Sequence, residues 1–388
     1  MLDLEELATP YLQNVGPAGL RNPQTSNTAD ILPAGFELIS ADDHWEPTSD
    51  IFYDRVPEHL KSIAPRVWFD RFWRVMAKTE DSTATPLGEG ENIARILERS
   101  IDQSGWSRER RAEVTQREGI KKAIVFPNSM LAWCSHPNVE LRELVFRIYN
   151  EAAAAEGKAQ KGFYPVAVFA NWWDPDKAQG AMDQIVDLGF KTFMIPFSLK
   201  DGKGRPMNCA DPIMENFWTV VEKSGLPLGF HVGESANFEG RGGAAVQVVC
   251  SLTPFRRVAS QLIFGGVFDR HPKLRIAFSE GGISWIAPFL QDCEMVYDTY
   301  GDTLEPIKHR PSYYWHKHCY ATFQNDRVGL TQLHLIGADR VMWGSDYPHS
   351  EGTFGYTREA IKDVLAATSE AEARLILGDT ARQLYRLD

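Results

Sequence analysis

The strongest constraint on the fold is an alternation. Eight short apolar runs, rich in β-branched and aromatic residues, recur along the chain at 37–41, 122–126, 164–170, 191–196, 226–231, 274–279, 319–323 and 340–343. Continuous apolar runs of this length suit strands covered on both faces, because a strand with one wet face alternates apolar with polar residues. Residues 175–188, 210–224 and 283–300 carry helical periodicity between them. Strands separated by helices in this number predict an α/β fold, a (β/α)8 TIM barrel rather than an open doubly wound sheet. No G-x-G-x-x-G follows the first run, which also argues against a dinucleotide-binding sheet.

Two stretches break the alternation. Residues 1–36 pass from an acidic start into a Gly, Pro, Asn and Thr-rich segment without a sustained period, and predict an N-terminal arm. Residues 47–119 are longer than a crossover needs and carry Phe52, Tyr53, Trp68, Phe69, Phe72, Trp73 and Trp106. They predict a cap inserted after strand 1 over the barrel mouth, with 81–91 a mobile polar loop. The barrel domain then spans 37–388, and 369–387 reads as a closing helix pair.

Composition narrows the function. Hydrophobic content of 43% and charged content of 24% are those of a soluble globular protein. A net charge of −11 argues against nucleic-acid or anionic-membrane partners, leaving a small molecule as the expected partner. No stretch reaches the roughly 20 apolar residues of a membrane span. Cys134, Cys209, Cys250, Cys293 and Cys319 lack C-x-x-C spacing, and the N-terminus lacks a basic-then-apolar targeting pattern. Both features predict a cytoplasmic protein with reduced thiols.

Parallel barrels carry their chemistry at the C-terminal ends of the strands. Here the first run empties into Asp42-Asp43-His44-Trp45-Glu46, the fifth into His231-Val232-Gly233-Glu234 and the sixth into Glu280. The seventh reaches Asn325-Asp326, and the eighth Gly344-Ser345-Asp346-Tyr347-Pro348-His349. Taken singly, Asp346 could cap the next helix, and a lone histidine could be a hydrogen-bonded core residue. Together, acids and imidazoles at the same end of strands 1, 5, 6 and 8 point to a nitrogen–oxygen site suited to Zn, Mn or Fe. A spacing of two puts Asp42, His44 and Glu46 on one strand face. A carboxylate at such a mouth can both ligate a metal and take a proton from metal-bound water.

The stretches ISADDHWEP, FHVGE, FGGVFDRHPKLRIAFSEGGISWIAPFL, WGSDYPHSEGTF and LGDTARQLY resemble the amidohydrolase superfamily. The likeness is to its amidohydrolase-2 branch, typified by aminocarboxymuconate-semialdehyde decarboxylase. It implies a divalent metal (Zn, Mn or Fe) held by His44 with Asp42 or Glu46, by His231 and by Asp346, which would also serve as base. Glu280 stands where the typical decarboxylase carries a histidine, as a proton-transfer group or a further ligand. Pro196-Phe197-Ser198 closes the fourth run, so the bridging carboxylated lysine of binuclear hydrolases is not expected. His349, Asn325, Trp45, Arg71 and Arg241 are the expected substrate contacts, an arginine being suited to hold a carboxylate.

The expected activity is hydrolysis or non-oxidative decarboxylation of a small aromatic or carboxylated substrate, by a homodimer. If Asp42, His44, His231, Glu280 and Asp346 all ligate, a non-haem iron oxygenase with one or two irons is the alternative. A metal-free binding scaffold is the third reading.

Overall fold

A computed structural model describes residues 22–47, 49–67, 75–77, 107–128, 130–134, 136–233, 241, 246, 249–250, 254–349 and 351–388. Its strands, in chain order, are β1 (Leu38–Trp45), β2 (Pro65–Val67), β3 (Val75–Ala77), β4 (Ile120–Pro127), β5 (Phe163–Pro165) and β6 (Ala167–Val168). They continue with β7 (Phe193–Met194), β8 (Leu228–His231), β9 (Ile276–Ser279), β10 (Cys319–Phe323) and β11 (Val341–Trp343). Apart from the antiparallel pair β2–β3, every ladder is parallel.

The eight predicted runs all become wall strands of the barrel. They hydrogen-bond in two arcs, β1-β4-β5 and β6-β7-β8-β9-β10-β11. The third run is shared between the arcs. Its β5 half pairs with β4, its β6 half with β7, and the Val166 N–H between them donates to Val125 O at 2.8 Å. Among the described residues β1 and β11 share no ladder. Their seam is joined at the mouth, where the Asp346 N–H donates to Asp42 O at 2.6 Å and the His44 N–H to Tyr347 O at 2.8 Å.

The helices form because their apolar residues recur on one face. Val139–Ala159 starts at Asn138, whose side chain accepts the Leu141 N–H, and buries Leu141, Val145, Phe146, Ile148 and Tyr149. The wall is apolar on both sides, so Trp172, Trp218, Trp315 and Trp343 are fully buried. Each such ring contributes about 1.5–3 kcal/mol or more by leaving water. No described helix is long and apolar enough to cross a membrane.

The described part of the insertion comprises two short 3-10 turns, the β2–β3 pair and the helix Arg108–Glu118. Phe52, Val56, Leu60, Ala64 and Val67 join the main core. Trp68, Phe69, Phe72, Trp73, Trp106 and the 81–91 loop lie outside the described residues, as do residues 1–21 of the predicted arm. The rest of that arm runs beside the Arg108–Glu118 helix, with Asn27 Nδ2 donating to Arg117 O at 2.7 Å and Thr28 Oγ1 to Glu118 O at 2.8 Å. The predicted closing helix pair is a continuous path of helix Glu370–Arg374, a π turn Leu375–Asp379 and helix Thr380–Tyr385. It begins in a Ser369–Glu372 capping box.

Candidate metal centre

The strand that carries Asp42 and His44 is not regular. In its ladder with β4, Ser40 pairs with Ala123 and Asp43 with Val125, so β1 holds one extra residue at Ala41–Asp42. Such a bulge re-aims side chains and frees backbone groups. Here the freed Asp42 carbonyl accepts the Asp346 N–H, which ties the first ligand-bearing strand to the last.

Gly344 permits that approach. A Cβ at this position would lie 2.6 Å from Asp42 Cβ and 3.0 Å from Asp42 N, closer than packed atoms tolerate. Gly344→Ala is therefore expected to lower unfolding free energy by about 1–3 kcal/mol. An unchanged denaturation midpoint would show that the loop yields freely.

Five side chains converge at this mouth. His44 Nε2 lies 3.1 Å from Glu280 Oε2, 3.3 Å from Asp346 Oδ1 and 3.9 Å from Asp42 Oδ1. His231 Nε2 lies 3.2 Å from both Asp42 Oδ1 and Glu280 Oε2. Among the described residues two groups could hold a cation, Asp42-His44-His231-Glu280 and His44-Glu280-Asp346-His349. In each group one ligand atom per residue lies within 4.8 Å of the others.

The histidines are turned so that their lone pairs face this point. His44 Nδ1 faces Pro127 O at 3.3 Å and His231 Nδ1 faces Val232 O at 2.8 Å. A carbonyl only accepts, so each Nδ1 carries the proton and each Nε2 is left as an acceptor. Burial, then the neighbouring His349 and His231, push the His44 imidazole well below its ordinary pKa, and it is neutral. Burial pushes Glu280 well above the ordinary carboxylate range, reinforced by the charges of Asp346 and Asp42.

Asp346 is fully buried, and neither of its oxygens accepts a well-directed hydrogen bond among the described residues. Its nearest cation is His349, whose Nδ1 stands 2.9 Å from Oδ1 while Nε2 faces Asn128 Oδ1 at 3.0 Å. Burial opposes charging of His349, but the Asp346 charge beside it outweighs burial and raises the imidazole to about 9. No described lysine or arginine contacts Asp42, Glu280 or Asp346. Two imidazole nitrogens and three carboxyl groups meeting away from water form a donor set that fits a divalent metal.

The loops that present the carboxylates are held under strain. Glu280 and Asp346 adopt left-handed backbone conformations, φ 66° and 56°. Such conformations cost about 1–3 kcal/mol each outside glycine and cluster at functional sites. Thr322 on β10 couples two of the donors, since Oγ1 accepts the Glu280 N–H at 2.8 Å and donates to Asp42 Oδ2 at 2.9 Å. Asp326 steadies the loop after Glu280 by accepting the Ile283 and Ser284 N–H groups at 2.8 and 2.7 Å.

The remaining expected residues are placed differently. Glu46 is buried but belongs to neither candidate group. Trp45 packs in the layer behind the strand, against Tyr149 and Phe163. Asn325 donates to Asp363 Oδ2 at 3.0 Å, and Arg241 is exposed. Arg71 and Glu234 lie outside the described residues. Thr322 and Asn128 were not anticipated. Asn128 sits directly after β4, so its place at a strand end was the available signal; Thr322 lies within an apolar run and offered none.

Comparison with known proteins bears on the family and the fold. A family model described as Amidohydrolase matches residues 135–387. The gamma-resorcylate decarboxylase of Rhizobium sp. (strain MTP-10005) is 27% identical over 232 residues, covering 55% of this chain and 68% of that protein. An amidohydrolase structure from Mycobacterium avium subsp. paratuberculosis K-10 aligns with a TM-score of 0.72 at 18% identity, over 91% of this chain and 100% of that one. A dihydroxybenzoic acid decarboxylase from Polaromonas sp. JS666, with bound manganese and the inhibitor 2-nitroresorcinol, aligns with a TM-score of 0.63 at 17% identity. That match covers 90% of this chain and 97% of the other.

Proposed function

The chain belongs to the amidohydrolase family, and on that premise we propose that it is a metal-dependent decarboxylase of a hydroxylated aromatic carboxylate. The observation that carries the metal is the meeting of the His44 and His231 lone pairs with the Asp42, Glu280 and Asp346 carboxylates. Those five residues would hold the ion. Manganese is favoured by the ion bound in the Polaromonas decarboxylase. The choice of decarboxylation over hydrolysis rests on the activities named for the relatives. Nothing in the site or among these relatives favours the iron oxygenase or the metal-free scaffold.

When bound, the metal would supply a fixed positive charge that holds the substrate oxygens and orients the ring. Asp346 delivers a proton to the ring carbon that bears the carboxylate. The bond from that carbon to the carboxylate then breaks, its electron pair returns to the ring, and CO2 leaves. His349, in contact with Asp346, supplies the proton that Asp346 delivers and is itself recharged from solvent. Glu280, whose Oε2 lies 3.1 Å from His44 Nε2, assists as a second proton-bearing group. The insertion at 47–119 serves as the cap that excludes water, and the protein acts as a cytoplasmic homodimer. The five cysteines stand outside any disulfide and four of them are buried, in keeping with a reducing compartment.

The test is direct. Protein purified without chelator should carry about one divalent ion per chain and release CO2 from 2,6-dihydroxybenzoate or a related hydroxybenzoate. Chelation should abolish the release and Mn(II) restore it. Metal-loaded protein that is inert on hydroxybenzoates but opens lactones or amides would make it a hydrolase; protein that takes up no divalent ion would remove the reading altogether.

A further inference from the structure

Behind the metal-binding face of β1 lies a second buried cluster that the chemistry above does not use. Asp43 follows Asp42 and points the opposite way. Its Oδ1 accepts from Ser345 Oγ at 2.5 Å, Ser40 Oγ at 2.7 Å and the Tyr347 N–H at 3.4 Å. Its Oδ2 accepts from Arg111 Nη1 at 3.1 Å. The other arm of that guanidinium donates to His44 O, and its plane lies 5.2 Å from the Tyr347 ring centroid and 5.5 Å from that of Phe163. Ser40 Oγ in turn accepts the Ser345 N–H at 2.8 Å. Asp43 is fully buried and Arg111 is 3% exposed.

The partners of Arg111 are the neighbours of the proposed ligands. It grips the carbonyl of His44 and the carboxylate next to Asp42 on one side. On the other it reaches the residues that flank Asp346, Ser345 through Asp43 and Tyr347 by its ring face. Arg111 itself comes from the helix Arg108–Glu118, the last element of the insertion. A planar fork with five donors can join two backbone segments at fixed separation, which a lysine's point charge cannot do. Packing alone would not call for this arrangement, since a buried ion pair between layers is often no more stabilising than apolar residues of the same volume.

We propose that Arg111, acting through Asp43, is a positioning residue that sets the spacing between the Asp42–His44 pair and Asp346. In this way the insertion takes part in building the metal centre. The inference rests on the reading that this centre holds a divalent ion. Outer-shell partners of this kind typically govern about 10- to 100-fold in metal affinity or activity.

The experiment compares wild type with Arg111→Lys and Asp43→Asn, each stripped of metal and titrated with Mn(II) by equilibrium dialysis and elemental analysis. Thermal unfolding of the stripped proteins and kcat at saturating Mn(II) are measured alongside. Both variants should bind Mn(II) about 10- to 100-fold more weakly and turn over more slowly at saturation, while the stripped proteins still unfold cooperatively. Wild-type affinity and kcat in a variant with a lowered unfolding temperature would overturn the proposal and leave the cluster as packing. If Asp43→Asn does not fold, Arg111→Lys, which keeps the buried charge, decides alone. Wild type that takes up no Mn(II) or other divalent ion would instead defeat the metal reading itself.

Discussion

Asp346→Asn is expected to lower kcat by about a thousandfold at saturating metal, within the 10²–10⁴ range of a lost acid–base group. Stability of the metal-free protein should stay within about 1 kcal/mol of wild type, because the change is nearly isosteric. Asparagine keeps the backbone N–H that donates to Asp42 O and tolerates the left-handed conformation at φ 56°. It cannot take up or release the proton. It also removes the charge that raises His349 to about 9, so the imidazole next to it loses its hold on a proton as well. Running the assay at saturating Mn(II) separates this loss from weaker metal binding. A variant that keeps more than a tenth of wild-type kcat under those conditions would remove Asp346 from the proton-transfer step.

His231→Ala should act on the metal first. His231 is one of two imidazole donors, with its Nδ1 already committed to Val232 O, so it offers the cluster only Nε2. Affinity for Mn(II) should fall by more than the roughly 10- to 100-fold typical of losing an outer-shell partner. Protein purified from rich medium should then carry well under one ion per chain by elemental analysis. Activity should follow occupancy and return in part at high Mn(II). The cavity beside Phe126, whose ring centroid lies 4.4 Å away, adds an ordinary destabilisation of about 1–3 kcal/mol. Full metal content in this variant would place the ion elsewhere in the cluster.

How far the sequence could be read depends on which physical signal each element carries. The run at 340–343 is all but coincident with β11, because nothing but apolar burial determines it. The first run was expected to end at 41, yet β1 continues through Trp45. Asp42, Asp43 and His44 carry the polarity of a loop, and only the ladder to β4 and the bulge keep them in the strand. The third run read as one strand and is divided at Val166 between two arcs, a matter of neighbours rather than of local propensity. The convergence of Asp42, His44, His231, Glu280 and Asp346 was legible because metal-binding residue types stood at the ends of predicted parallel strands. The groups that hold them in register were not. Arg111 lies 68 residues from Asp43 in a surface-like run of arginines and glutamates, and no pattern separates it from its neighbours. Its burial follows from where the insertion returns to the barrel.

The seam between β1 and β11, which share no ladder among the described residues, gives the centre a place in the chain's own history. Asp43 and Ser345 are 302 residues apart, and the bonds that join their segments are among those that bring Asp42 to Asp346. A chain emerging from the ribosome can lay down strand after strand against its predecessor, but this contact waits for nearly the last of them. Drawing such distant ends together costs loop-closure entropy that neighbouring pairs do not. An ion held by these residues would act as a clasp across the two sides, and its binding energy would add to the stability of the joined seam.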